Sequence, residues 1–230
     1  DLEGRKVGLA EYQLTANVWI RAFLDDDFQV APASIQWVRG GVEKPGRPEK
    51  IPITLPHGVS VTEAPAGRSL SELLLAGEID ALIGPRTPSV MTPANPQIGW
   101  LFPDPRSAAI DNYRRTQNFP IMHMIGVRRT LADQHPWLPA AVLKAFEQAK
   151  AVAFAKLADT SASKAMLPFV DQQLLEAQAL MGHDFWSYGV DRNRRCLEYF
   201  LHQHHKQGLS DRLMTLAELF HPATFEAARV

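Results

Sequence analysis

The sequence predicts an α/β fold, with one α/β lobe followed by a mostly helical C-terminal part. Three observations carry this. Short apolar runs alternate with amphipathic helical stretches through the first half of the chain, the grammar of an α/β layer. A complete capping box opens one of those helices. Near residue 120 the composition shifts, and strand-like segments give way to long helical ones, so a boundary is placed there, between residues 1–119 and 120–230.

"RKVGLA" is short, apolar and followed at once by a helical pattern, as a buried parallel strand would be. In "QLTANVWIRAFLDDD", Leu14, Val18 and Phe23 fall near one helix face, and the acids Asp25, Asp26 and Asp27 read as a helix end and turn. "IQWVRG" is the next strand. "GGVEKPGRPEKIPITLPHG" is rich in Gly, Pro and charge and reads as a surface loop. "VSVTEAP" alternates with period two, as a strand does. Ser69 is placed to cap a helix whose N3 residue is Glu72, and Gly77 ends that helix. "IDALIG" then returns as a buried strand that stops at Pro85. After a proline-rich stretch and the short apolar "IGWLF", "AAIDNYRRTQ" reads as a short helix and "FPIMHMIGVRR" as a buried strand. Helices are expected from His135 or Pro136 to about Leu157, with Pro136 in the first turn, from Lys164 to Met181, from Asp191 to Gln207, and near Thr215 to Leu219.

Composition excludes several function classes. The chain has 230 residues, 46% hydrophobic and 21% charged, which is enough apolar material for a sizeable core. The formal net charge of −1 provides no global field toward nucleic acid or an anionic membrane, so a locally recognised small ligand is expected. No apolar run reaches membrane-spanning length, and the start of the chain has no signal-peptide core. The single cysteine, Cys196, rules out an intramolecular disulfide framework and any CxxC site, and it fits a reducing compartment such as the cytoplasm. His202, His204, His205 and His221 lack an acid or cysteine at a recognised ligand spacing, so no metal site is assigned.

One corner stands out. Glu11, Tyr12 and Gln13, with Thr15 just beyond, lie where a strand becomes a helix, and a turn alone needs only one capping group. Free N–H groups at a helix N-terminus attract anions. Arg39 in "WVRGG" and Arg86 in "GPRTP" also follow strands, and ligands of α/β sheets gather at the C-terminal ends of strands. A guanidinium there can hold a carboxylate bidentately. The glycines after Arg39 permit close approach of a ligand. The competing reading of the same residues is an ordinary cap with solvated arginines. His123 sits in an otherwise apolar run. It is either a core histidine or a proton donor, since histidine as a residue type titrates near neutrality. "HDFWSYG" concentrates aromatics, which fits a helix–helix junction or a subunit interface better than a ligand wall.

The blocks "DLEGRKVGLAEYQLTANVWIRAFL", "IQWVRGGVEKPGR", "LLLAGEIDALIGPRTP", "NYRRTQNFPIMHMIGVRR", "HPWLPAAVLKAFEQAK" and "DFWSYGVDRNRRCLEYFL" resemble, in this order, those of the 4,5-dihydroxyphthalate decarboxylase family. The resemblance runs from Asp1 to about Phe220. It implies a type II periplasmic-binding-protein-like fold of two α/β lobes, two crossover strands and a cleft. In that fold residues 1–119 form the second lobe, and residues 120–230 the crossover strand and the helical return to the first lobe. The family's first lobe begins upstream of "DLEGRKVG". The resemblance also implies a non-oxidative decarboxylase that converts 4,5-dihydroxyphthalate to protocatechuate and CO2, with no organic cofactor required. Its partner is a small aromatic carboxylate, with no nucleic acid and no membrane, and the helical part suits a homo-oligomer.

In such a substrate each carboxylate is para to a hydroxyl. Electron donation from that hydroxyl lets the ring carbon take a proton before CO2 leaves. The chemistry asks for carboxylate anchors, a base near the phenols and an acid above the ring. On this basis the catalytic candidates are His123, for proton transfer, and Glu11, for the phenol. The substrate-binding candidates are Tyr12, Gln13, Thr15, Arg39 and Arg86. The alternative is a solute-binding protein of the transporter type that captures a small anionic or aromatic ligand. It would use the same corner, need no acid over the ring, and belong in the periplasm if an upstream segment carried an export signal.

Overall fold

The computed structural model describes residues 2–162 and 165–225. They form two compact units. The first comprises the residues up to Tyr113 together with Tyr199–Met214, and the second comprises Arg114–Glu198 and the residues from Thr215 on.

The first unit is the expected α/β layer. Strands β1 (Lys6–Leu9), β2 (Gln36–Arg39), β3 (Ser60–Glu63) and β4 (Ala81–Ile83) form a fully parallel sheet in the order β3-β2-β1-β4. Helices α1 (Thr15–Phe28) and α2 (Leu70–Leu75) supply the crossovers. The alternation of side chains along a strand splits the core in two. Val7, Leu9 and Trp37 belong to a cluster with Tyr12 and Leu24, while Val38 belongs to a second with Leu70, Leu73 and Ile79. Gly8 faces this second cluster, where a Cβ would lie 2.8 Å from Ile79 Cδ1. Glycine at this position lets β1 and the α2 layer approach.

The capping box is present as expected. Ser69 Oγ accepts from the Glu72 N–H, and the Glu72 carboxylate accepts from the Ser69 N–H. Gly77 follows at φ +70°. Ser69→Ala is expected to cost about 1 kcal/mol, read as a lower urea midpoint with an unchanged slope.

The acidic run does more than end a helix. Asp26, in the last turn of α1, accepts hydrogen bonds from Tyr199 Oη (2.8 Å), Gln203 Nε2 (2.7 Å) and Lys206 Nζ (3.1 Å), and Lys206 also pairs with Asp25. Carboxylates at a helix C-terminus oppose the helix dipole, and Lys206 supplies the compensating cation. These donors lie on helix α7 (Arg194–Lys206), whose residues from Tyr199 onward belong to this unit. Trp19 stacks on Tyr199 and lies against Phe200. Burial, and then the Asp26 hydrogen bond, push the Tyr199 phenol up. Burial lowers the His204 imidazole.

The other elements are α3 (Pro105–Thr116), α4 (Arg129–Gln134), α5 (Leu138–Ala158), α6 (Val170–Met181) and α8 (Leu216–Leu219), with 3₁₀ turns at Pro32–Ser34, Asp191–Asn193 and Pro222–Thr224. Three sequence expectations are corrected here. "FPIMHMIGVRR" is not a buried strand. It runs without regular structure, and Met124 and Ile125 are 55% and 64% exposed. Apolar character marks a segment that gains from burial, but a strand also needs a hydrogen-bonding neighbour, and no strand of the sheet pairs with this one. The long helix begins at Leu138, so Pro139 rather than Pro136 occupies its first turn, and residues 129–134 form the separate α4. The next helix begins at Val170, after Phe169 at φ +64°. The expected start at Lys164 lies outside the described residues. In the second unit "HDFWSYG" packs on α5, with Phe185 stacked on Phe154 and Tyr188 edge-on to Phe146.

Candidate active site

In a parallel sheet all strands point the same way, so their C-terminal ends form one edge. Leu9 pairs with Arg39 across β1 and β2, and with Ile83 across β1 and β4. The register therefore brings the residues after β1, the last residue of β2 and the residues after β4 to one edge of the first unit. Glu11, Tyr12 and Gln13 follow β1, Arg39 ends β2, and Arg86 follows β4.

The segment between β2 and β3 completes this corner. The sequence marks it as a surface loop, and it does lack regular structure, but two of its charges fold back onto the corner. Glu49 is the point of convergence. Its carboxylate accepts from the Tyr12 N–H through Oε1 and from Gln13 Nε2 through Oε2 at 2.9 Å. The Arg39 guanidinium lies 3.7 Å from Oε1. Arg47 Nε donates to Glu11 Oε1 at 2.7 Å. Gln13 also donates to the Ile51 carbonyl, which ties the loop to the start of α1. Of the glycines after Arg39, Gly41 is required by the loop and Gly40 by the close approach of the segment after β3. A Cβ on Gly41 would lie 1.8 Å from the Lys44 carbonyl oxygen, and one on Gly40 would lie 2.8 Å from Ala64 Cβ.

The individual residues differ in their setting. Glu11 is buried, and its carbonyl accepts from Asn17 Nδ2 at 2.7 Å. The Tyr12 side chain is fully buried rather than open to a ligand, edge-on to Trp37, with its phenol pushed up by burial. What Tyr12 offers the corner is its backbone N–H. Thr15 is half-buried in the first turn of α1, with Leu14 at the N-cap. Arg39 is mostly covered and also pairs with Glu63, its cross-strand neighbour. Arg86 is exposed and has no ion-pair partner among the described residues. His123 belongs to the second unit and is exposed.

Sequence reasoning missed Arg21. It lies one turn on from Asn17 along α1, is fully buried, and places its guanidinium carbon 3.6 Å from the Tyr12 ring centroid. Nε donates to Gln207 at 2.9 Å, whereas both terminal nitrogens are buried with no hydrogen-bond partner among the described residues, as is the Tyr12 hydroxyl. Burial lowers the guanidinium to about 10, partly offset by Tyr12 and Glu49. A signal was available, because Arg21 stands between Val18 and Ala22 on the buried face of an amphipathic helix. Charged loop residues beside "WVRGG" were a weaker one for Arg47 and Glu49.

The corner can hold one carboxylate between a guanidinium, an amide and a backbone N–H, with the Glu11 carboxylate beside it. The chain is 54% identical over all 230 residues to the 4,5-dihydroxyphthalate decarboxylase of Comamonas testosteroni, covering 70% of that protein's length. The chain belongs to the 4,5-dihydroxyphthalate decarboxylase family. The enzyme of that name from Pseudomonas putida is 50% identical over 114 residues, half of this chain and 44% of that protein. No protein-family model matches the chain.

A cavity of about 370 Å³ in the second unit is lined by Lys150, Phe154 and His183 among others. Lys150 there is already paired with Glu147 (2.8 Å) and Asp184 (2.7 Å), so it has little charge left for an incoming dicarboxylate. Among the described residues, no group of three or more His, Cys, Asp or Glu side chains is placed to hold a metal ion, and no helix is long and apolar enough to cross a membrane.

Proposed function

We propose that this protein is a carboxy-lyase that converts 4,5-dihydroxyphthalate to protocatechuate and CO2. The observation that carries the reading is the convergence of Arg39, Gln13 Nε2 and the Tyr12 N–H on a single carboxylate position, within two residues of the buried Glu11. Membership of a family whose curated members act on this dicarboxylate supplies the substrate class.

The residues divide the work as follows. Arg39, Gln13 and the Tyr12 N–H hold one carboxylate by charge-assisted hydrogen bonds. Arg86, on the same sheet edge, anchors the second, and Thr15 lines the corner. Glu11 accepts a phenolic proton, which raises electron density at the ring carbon para to that oxygen. A proton then adds to this carbon, the C–C bond to the carboxylate breaks, and its electron pair restores the aromatic ring as CO2 leaves. The balance is one proton taken up and one CO2 released, with no oxidant or reductant. His123 is assigned as the proton donor on its side-chain chemistry and its exposure.

The fold we assign is type II periplasmic-binding-protein-like, with the first unit here as its second lobe. The parallel sheet with polar residues gathered at its C-terminal edge supports this. A homo-oligomer in the cytoplasm completes the reading. Exposed Trp100, Leu101, Met124 and Ile125 favour association, and the free thiol of Cys196 suits a reducing compartment.

The test is stoichiometric CO2 and protocatechuate formation from 4,5-dihydroxyphthalate, with His123→Gln run alongside. Turnover that collapses in His123→Gln supports the whole scheme. Turnover that survives the substitution removes His123 from it. Tight binding of the dicarboxylate with no CO2 would replace the enzyme by a solute-binding protein.

A further inference from the structure

We infer that Glu49 sits in the seat of a substrate carboxylate, as an internal competitor that must swing out for substrate to bind. Three donors from two strand ends converge on it: the Tyr12 N–H, Gln13 Nε2 at 2.9 Å and the Arg39 guanidinium at 3.7 Å. A carboxylate held this way has the contacts of a bound ligand, yet it belongs to a loop without regular structure that glycines attach to β2. The part of the loop around Glu49 is tied by Gln13 to the Ile51 carbonyl and by the Arg47–Glu11 pair, whereas the start of the loop is pinned by the Gly41 and Val42 carbonyls, which accept from the Leu70 and Ser71 N–H groups, and by Glu43, which accepts from Ser71 and Ser89. Arg47 is about half exposed, whereas its partner Glu11 is buried.

Arg21 is the independent observation that points to an external anion. It is fully buried, its two terminal nitrogens lack hydrogen-bond partners among the described residues, and it is close enough to Glu49 for the charges to interact. A buried guanidinium normally has its donors satisfied, because unmade hydrogen bonds cost free energy. The seat combines a guanidinium, a backbone N–H and an amide around the Glu49 carboxylate, with the Arg21 guanidinium over the adjoining Tyr12 ring. The chemistry selects a planar carboxylate.

The inference rests on the decarboxylase reading only for the identity of the incoming carboxylate, so its test uses phthalate, which lacks the hydroxyls that the reaction needs. By titration calorimetry, Glu49→Gln is expected to bind phthalate about tenfold more tightly than the wild type, because the amide keeps the size of the side chain but not the competing charge. Added Arg39→Gln should abolish the gain. As a second readout, Glu49→Ala should gain thermal stability on addition of acetate at concentrations that leave the wild type unmoved, since acetate refills the seat. Phthalate affinity that is unchanged or weaker in Glu49→Gln would make Glu49 a structural clamp and overturn the inference, as would a Glu49→Ala protein indifferent to acetate. Absence of turnover with 4,5-dihydroxyphthalate would count against the proposed reaction and leave these binding results standing.

Discussion

Glu11→Gln is expected to lower kcat for 4,5-dihydroxyphthalate by roughly 10²- to 10⁴-fold, the range in which a positioned general base acts. The substitution is nearly isosteric. The Glu11 backbone contact with Asn17 does not depend on the side chain, and Arg47, which loses its partner, is about half exposed and can turn to water. The fold should survive, with a melting temperature close to the wild type. Phthalate binding separates catalysis from structure. If Glu11 takes the phenolic proton, the variant should bind phthalate as the wild type does while kcat falls. A kcat within threefold of the wild type would remove Glu11 from the reaction and leave it as the partner that holds Arg47.

Arg39→Gln should act mainly on binding. A hydrogen bond to a charged group contributes about 1.5–3 kcal/mol, which corresponds to a KM increase of roughly 10- to 150-fold. The Arg39–Glu63 pair has an exposed acid, and such pairs contribute about 0–1 kcal/mol, but the substitution also takes a cation from the mostly buried Glu49, so a modest loss of stability is expected. The expected signature is therefore a large rise in KM with a modest change in kcat and melting temperature. A rise in Ki for phthalate-type inhibitors should accompany it, since the lost contact is to a carboxylate common to both. An unchanged KM would mean that Arg39 serves only Glu63 and Glu49, and the carboxylate would need another anchor.

These two expectations come from different depths of the chain. Arg39 was recognisable from the strand "IQWVRG" and from the rule that ligands meet strand ends. Glu11 and Gln13 were recognisable as a polar excess at a strand–helix corner. Their partners Arg47 and Glu49 were not, because a loop rich in Gly, Pro and charge reads as solvated whichever way it folds. The sequence marks Tyr12 as a substrate-binding candidate, and the fold buries its ring and presents its N–H to the corner. Arg86 and His123 stand exposed, so their roles depend on the ligand rather than on contacts within the chain.

Local rules were sufficient for much of the first unit. Strands β1, β2 and β4, helix α1 and the Ser69–Glu72 box follow from side-chain period and capping, which act over a few neighbouring residues. Family membership was legible for the same reason, in blocks that run in order along the chain. Tertiary structure alone decided where long-range partners fall. It gave "FPIMHMIGV" no strand of the sheet to pair with, so an apolar run that reads as a strand lies largely exposed and irregular. It buried Arg21 under Tyr12 and made the acids at the end of α1 into the anchor for Tyr199, Gln203 and Lys206. It also brought Glu49 to the donors at the sheet edge. Capping and alternation are nearest-neighbour effects, encoded where they act. Burial and ion pairing depend on what the rest of the chain places opposite, and that is settled only when the chain has folded.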